Sequence, residues 1–120
     1  TALVVDDNEV NRIIASDLLK SLGLTILEAE NGLQALSLLE RRAPDLILMD
    51  CDMPVMDGYE ATRRIREREN RLGLPHVLIL AITANAYPED VSRALAAGMN
   101  GHLPKPFTRS QLRAAIAVSL

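Results

Sequence analysis

The chain has 120 residues, the size of one ordinary domain, and 48% of them are hydrophobic, enough to build a core. A formal net charge of −3 argues against a nucleic-acid surface, which needs a basic excess. The one cysteine, Cys51, excludes an internal disulfide framework and fits a reducing compartment, and no apolar run approaches the roughly 20 residues of a membrane span. Thr1 leads straight into an apolar run without an initiator Met or a signal-peptide pattern, which reads as a piece of a longer protein. With only Tyr59, Tyr87 and Phe107 as aromatics, the core must come from Leu, Ile, Val, Ala and Met.

Apolar runs alternate with helical periodicity from end to end. Ala2–Val5 is a short strand that stops at Asp6-Asp7. Val10, Ile13, Ile14, Leu18 and Leu22 then recur at helical spacing, and Gly23 ends that helix. Leu24–Ala29 is a second strand and Asn31-Gly32 a turn. Leu33 to Arg42 is predicted as a helix with Leu36 and Leu39 inward, broken by Pro44. Asp45–Asp50 follows as a strand whose centre, Leu46 to Met49, is apolar without alternation, as in a strand covered on both faces. Asp57-Gly58 precedes a charged helix over Tyr59–Asn70, a solvated face rich in i,i+4 pairs. Val77–Ile82 is another buried strand, ending at Thr83. Pro88 suits an early helical position, Gly98 closes that helix, and Gly101–Leu103 is a fifth strand. Thr108 can cap a last helix with Leu112, Ala115 and Ile116 inward.

Five strands and five helices in strict alternation predict an α/β fold with a parallel sheet and helices on both faces. The strand order 2-1-3-4-5 of a flavodoxin-like, doubly wound sheet is taken by analogy, since alternation alone does not fix it. In a parallel sheet every strand C-terminus lies on one edge. That edge would collect Asp6 and Asp7, Asp50, Thr83 and, just past the fifth strand, Lys105. Three acids at close range repel one another unless a cation joins them, and oxygen ligands with room for water suit Mg²⁺. With the cation bound, Asp50 stays ionised and can attack phosphorus, while Lys105 and the metal balance phosphoryl charge. The Thr83 hydroxyl can donate to a phosphoryl oxygen, and small Ala84 leaves the approach open. Taken singly, each residue has a plainer role: Asp6-Asp7 as a helix cap, Asp50 as a loop acid, Thr83 as a strand residue, Lys105 as a surface lysine. Their convergence at corresponding strand ends is what favours function.

These residues resemble the receiver domain of two-component response regulators over essentially the whole chain. The resemblance is carried by Val4-Val5-Asp6-Asp7-Asn8, Asp45 to Asp50, Met53-Pro54-Val55-Met56-Asp57-Gly58, Ala81-Ile82-Thr83-Ala84 and Lys105-Pro106. It implies that Asp50 is the phosphoacceptor, Asp7 a direct Mg²⁺ ligand and Asp6 an acid acting through metal-bound water. The backbone carbonyl of Asp52 would supply a further metal ligand. Thr83 and Lys105 match the phosphoryl-binding pair, and Lys105-Pro106 falls where the family commonly has a cis bond. His102 stands where the family usually has a rotating Tyr or Phe, so a ring switch here would be weaker or pH-sensitive. Asp52 also departs from the usual Asn or Gln; facing the site, it would slow phosphoryl loss by repelling water.

The wording Asp7-Asn8 with Asn11-Arg12, Met49 to Thr62, and Ala81 to Ala86 is similar to receivers inside hybrid sensor histidine kinases. The resemblance thus implies partners, a histidine kinase and a histidine phosphotransfer domain, which meet the surface around the first helix and the loops bordering Asp50. It implies a cytoplasmic domain with no nucleic-acid or direct membrane contact, in a parent anchored in the inner membrane. The domain would promote its own phosphorylation and dephosphorylation. One rival is a haloacid-dehalogenase-like phosphatase with Asp50 as nucleophile and Asp52 as general acid, which leaves Asp6-Asp7 unexplained. The other is a flavodoxin-like electron carrier, whose phosphate loop the acidic Asp6-Asp7-Asn8-Glu9 would repel.

Overall fold

The central strands, Ala2–Val5, Leu46–Asp50 and Leu78–Thr83, are set by aliphatic runs, and four of the five helix entries by a short polar residue; the fourth helix is entered through Tyr87-Pro88 without a side-chain cap. A computed structural model describes residues 1–119 except Asp52, Pro54, Ala84, Asn85, Ala86 and Pro106, with Val118 and Ser119 described by backbone alone. The elements are β1 (Ala2–Val5), α1 (Glu9–Ser21), β2 (Ile26–Ala29), α2 (Gly32–Leu39), β3 (Leu46–Asp50), α3 (Gly58–Leu72), β4 (Leu78–Thr83), α4 (Pro88–Ala97), β5 (Gly101–Pro104) and α5 (Arg109–Ser119). All strand pairs are parallel, in the order β2-β1-β3-β4-β5 that the sequence suggested by analogy.

Alternate residues of the central strands point into two separate cores. Leu3, Val5, Ile47, Met49, Ile79 and Ala81 pack on one side against Ala35, Leu39, Ile65 and Ala94 of α2, α3 and α4. Ala2, Val4, Leu46, Leu48, Leu80 and Ile82 pack on the other against Ala15, Leu19 and Leu112 of α1 and α5. This two-sided burial explains why β1, β3 and β4 read as unbroken apolar runs.

Helix entries follow capping chemistry. Asn8, Asn31 and Asp57 each accept, through the side chain, from the backbone N–H three residues on, at 2.9–3.0 Å. Thr108 and Gln111 satisfy each other reciprocally, Thr108 Oγ1 accepting from Gln111 N–H at 3.1 Å and Gln111 Oε1 from Thr108 N–H at 2.8 Å. Pro88 is the first residue of α4, and Gly98 closes it at a left-handed φ of 108°.

The C-terminal ends of two helices differ from the periodic pattern by a few residues. α2 ends at Leu39 rather than Arg42, and α3 runs on to Leu72 before Gly73 stops it. The apolar stripe of α1 divides between core and surface. Of its apolar stripe, Leu18 and Leu22 pack against the core, but Val10, Ile13 and Ile14 are 62%, 50% and 52% exposed. The buried face is instead Ala15, Ser16 and Leu19. Small residues let the helix lie close on β1, and three large aliphatics are left on its outer surface.

Candidate functional site

Strand register builds the site. Val5 pairs with Met49, so Asp6, the next residue, stands level with Asp50. Asp50 pairs with Ile82, so Thr83 extends one residue beyond it on the neighbouring strand. The Thr83 carbonyl accepts from the Lys105 N–H at 2.8 Å, which delivers the lysine to the same edge. Four segments distant in sequence therefore meet because the strands end in step.

The side chains converge as that register requires. Carboxylate oxygens of Asp6, Asp7 and Asp50 all lie within 4.8 Å of one another. Lys105 Nζ sits 3.2 Å from Asp6 Oδ2 and 3.5 Å from Asp50 Oδ1. Asp6, Asp50 and Thr83 are buried, at 5%, 3% and 6% exposure, whereas Asp7 is open to solvent. Burial by itself would lower the Lys105 pKa. The charges of Asp50 and Asp6 and their hydrogen bonds outweigh it and hold the ammonium above the ordinary lysine value. The ammonium is thus firmly charged, yet one positive charge faces three carboxylates.

Donor chemistry decides what the remaining negative charge can hold. Hard carboxylate oxygens, one of them solvent-facing, suit a small divalent cation that keeps part of its water, as Mg²⁺ does. Among the described residues the cluster contains no soft or nitrogen ligand. The residues present therefore fit Mg²⁺.

The plainer role for Asp6-Asp7 as a helix cap does not hold, because Asn8 caps α1. Asp6 instead turns back, its Oδ1 accepting from the Asn8 N–H at 2.9 Å. Asp7 has no hydrogen-bond partner among the described residues. His102 lies outside the acid cluster, half-buried in β5 opposite Ala81. Asp52, Ala84 and Pro106, also singled out from the sequence, fall outside the described residues. Gly58 was quoted as a motif residue but its reason was missed. A Cβ there would meet the Asp50 backbone, so only glycine lets α3 start beneath the acceptor. The Asp-Gly pair before a helix was the available signal.

Comparison with known proteins agrees with this geometry. The family described as response regulator receiver domain matches residues 2–117. A hybrid signal transduction histidine kinase B of Dictyostelium discoideum is 46% identical over 118 residues, covering 92% of this chain and 6% of that protein. The chain spans 5–12% of the length of the curated relatives it matches. Among solved structures, the receiver domain of sensor histidine kinase PA1611 from Pseudomonas aeruginosa, with magnesium coordinated in its active-site cleft, is 46% identical. It has a TM-score of 0.83 and covers 94% of this chain and 90% of its own. The receiver domain of Ssk1 from Saccharomyces cerevisiae, crystallised with the histidine phosphotransfer protein Ypd1, is similar at 30% identity and a TM-score of 0.88. That match covers 99% of this chain and 90% of the other.

Proposed function

Since this chain belongs to the response regulator receiver family and is a receiver domain of a two-component phosphorelay, we propose that Asp50 is its phosphoacceptor. The single observation that carries this reading is the convergence of Asp6, Asp7 and Lys105 on the buried Asp50 carboxylate. An Asp50 oxygen attacks phosphorus. The new O–P bond forms as the P–N bond to a donor imidazole breaks, and the electron pair leaves on nitrogen. Lys105, shared between Asp6 and Asp50, stands ready to pair with the incoming phosphoryl oxygens. Thr83, one residue beyond the acceptor on β4, offers its hydroxyl as a donor. Mg²⁺ would be held by Asp7, Asp50 and the Asp52 carbonyl, with Asp6 acting through metal-bound water, and would supply charge neutralisation. His102 would report the modified state from β5.

The partner is a histidine phosphotransfer domain or a kinase histidine. What supports this is the outward face of α1, where Val10, Ile13 and Ile14 expose a contiguous apolar patch next to the acids. The patch continues into a cavity of about 290 Å³ walled by Ile14, Ala15, Leu48, Ile82 and Phe107, with Lys105 at its rim. A partner with an apolar collar around its histidine would bury that patch while presenting phosphorus to Asp50. The location that follows is cytoplasmic, within a kinase anchored in the inner membrane. No helix among the described residues is long and apolar enough to cross a membrane itself. The phosphatase alternative gains nothing, because it gives Asp6 and Asp7 no task.

The test is Mg²⁺-dependent labelling by a small phosphodonor such as acetyl phosphate, with Asp50→Asn as control. Label should appear on the parent and vanish with the substitution or with a chelator. Label that persists on the Asp50→Asn chain would falsify the assignment.

A further inference from the structure

The Asn11-Arg12 pair has no part in the chemistry so far, yet Arg12 reaches the site from behind. We infer that Arg12 is a positioning residue for the metal-binding acids: its guanidinium pins the β1–α1 turn that carries Asp6 and Asp7. The inference rests on the reading of that cluster as a magnesium site.

All three guanidinium nitrogens are engaged. Nη1 donates to the backbone carbonyl of Asp6 at 2.8 Å. Nε lies 3.7 Å from Glu28 Oε1 and Nη2 3.8 Å from Glu30 Oε1. The arginine side chain is only 12% exposed, although both glutamates are largely in water. A planar fork with several fixed donors can hold a carbonyl and two carboxylates at once; a lysine cannot. Arg12 thereby ties the turn to β2, where Asp6 N–H already donates to the Ala29 carbonyl at 3.1 Å.

Asp7 needs such a device more than the other acids do. Asp50 is fixed inside the sheet, and Asp6 is held by the Asn8 N–H and by Lys105. Asp7 is exposed, so its aim depends on the backbone on either side. The carbonyl that Arg12 grips belongs to the peptide unit joining Asp6 to Asp7. Groups that orient metal ligands from one bond away typically change metal affinity by about 10–100-fold when removed.

Electrostatics and positioning predict opposite signs, which makes the inference testable. Arg12 is a cation near the site, and its loss also leaves Glu28 and Glu30 uncompensated. By charge alone, Arg12→Ala should bind Mg²⁺ more tightly. By positioning, it should bind more weakly.

The experiment is calorimetric titration of the 120-residue chain with Mg²⁺ for the parent, Arg12→Ala, Arg12→Lys and Glu28→Gln/Glu30→Gln, with thermal midpoints taken in chelator. Amide chemical shifts of Asp7 and Asn8 are recorded without metal. The expected result is about tenfold weaker binding for Arg12→Ala, with shifts displaced at Asp7 and Asn8. Arg12→Lys, which keeps the charge but not the fork, should also be weakened. The double glutamine variant, which keeps the grip on the Asp6 carbonyl, should stay within about twofold of the parent, well short of that range. Should Arg12→Ala fail to fold, Arg12→Lys carries the same test. Parent-like or tighter binding by a folded Arg12 variant overturns the inference while the magnesium reading stands. Absence of Mg²⁺ binding by the parent overturns that reading first.

Discussion

Gly58→Ala perturbs acceptor and scaffold at one point. Gly58 opens α3, and its N–H donates to the Cys51 carbonyl at 3.2 Å. A Cβ there would come inside 3.0 Å of the Asp50 carbonyl oxygen and sit 3.0 Å from both the Asp50 carbonyl carbon and Met49 Cγ. Two of these neighbours are backbone of the central strand β3, which has no slack. Alanine regains about 1 kcal/mol of helix propensity at most, while overpacking costs about 1–3 kcal/mol and more where backbone must move. The balance is a net loss of about 2 kcal/mol. With a urea m-value of about 1.5 kcal/mol/M, the midpoint falls by rather more than about 1 M. Relief also requires α3 or Asp50 to shift by the order of an ångström, and such a misplacement costs about 100-fold in rate. The assay pairs urea unfolding by circular dichroism with the initial rate of phosphodonor labelling at saturating Mg²⁺. Gly32→Ala is the control. Its Cβ would meet Met56 Cγ at 2.9 Å, Met56 Sδ at 3.0 Å and Ala61 Cβ at 3.0 Å, and a methionine tip can swing away. That variant should lose less stability and label nearly as fast as the parent. Parent-like midpoint and rate in Gly58→Ala, or a slower rate in Gly32→Ala than in Gly58→Ala, would refute the reasoning.

Three further outcomes are expected. Arg66 donates to the Gly98 carbonyl at 2.9 Å, to Glu69 Oε1 at 2.8 Å and to Asn100 Oδ1 at 2.8 Å, and both charges of the pair are nearly buried. Arg66→Ala leaves the buried Glu69 carboxylate, held by the Val77 N–H at 2.7 Å, without its counter-charge and should cost about 3–5 kcal/mol by urea unfolding; a loss under about 1 kcal/mol, the worth of a solvated pair, sinks that account. The Thr62 hydroxyl is fully buried without a hydrogen-bond partner among the described residues, so Thr62→Val should stabilise the fold by about 1 kcal/mol, and a destabilised variant would show that a partner exists. Burial, then a hydrogen bond to Cys51, raise the Tyr59 pKa above its ordinary 10.0. The folded state therefore holds that proton more tightly than the unfolded chain, and stability is lost as pH rises from 10.0 toward the folded value. In Tyr87→Phe, where Tyr59 is the sole tyrosine, tyrosinate absorbance should appear only with or after loss of helical signal; ionisation centred at 10.0 in an intact fold would contradict it.

The sheet and the acidic edge were legible because they depend on backbone rules. Two-sided burial erases alternation in β1, β3 and β4, and parallel strands bring their C-terminal residues to one edge whatever the side chains between them. The outward aliphatics of α1 were legible only in part: the sequence put the partner surface around this helix without fixing which of its aliphatics face out. Val10, Ile13 and Ile14 have core-like spacing, and only the sheet's demand for small residues at Ala15 and Ser16 turns that stripe outward. The grip of Arg12 on Asp6 was hidden for a different reason. It is a side-chain to backbone contact six residues apart across a turn, and no periodicity encodes it.

A difference between fixed and conditional charge then follows from the site itself. Three carboxylates against one ammonium leave two negative charges in a largely buried cluster. Two further lysines at the edge would balance them permanently, without a divalent cation. Leaving that charge unbalanced reserves the edge for a divalent ion, whose two positive charges match it. Lys105 is already shared between Asp6 at 3.2 Å and Asp50 at 3.5 Å, so an incoming phosphoryl group competes for it with Asp6. A cluster balanced in this way changes its pairing when phosphorus is bound, which a cluster saturated with fixed cations would not.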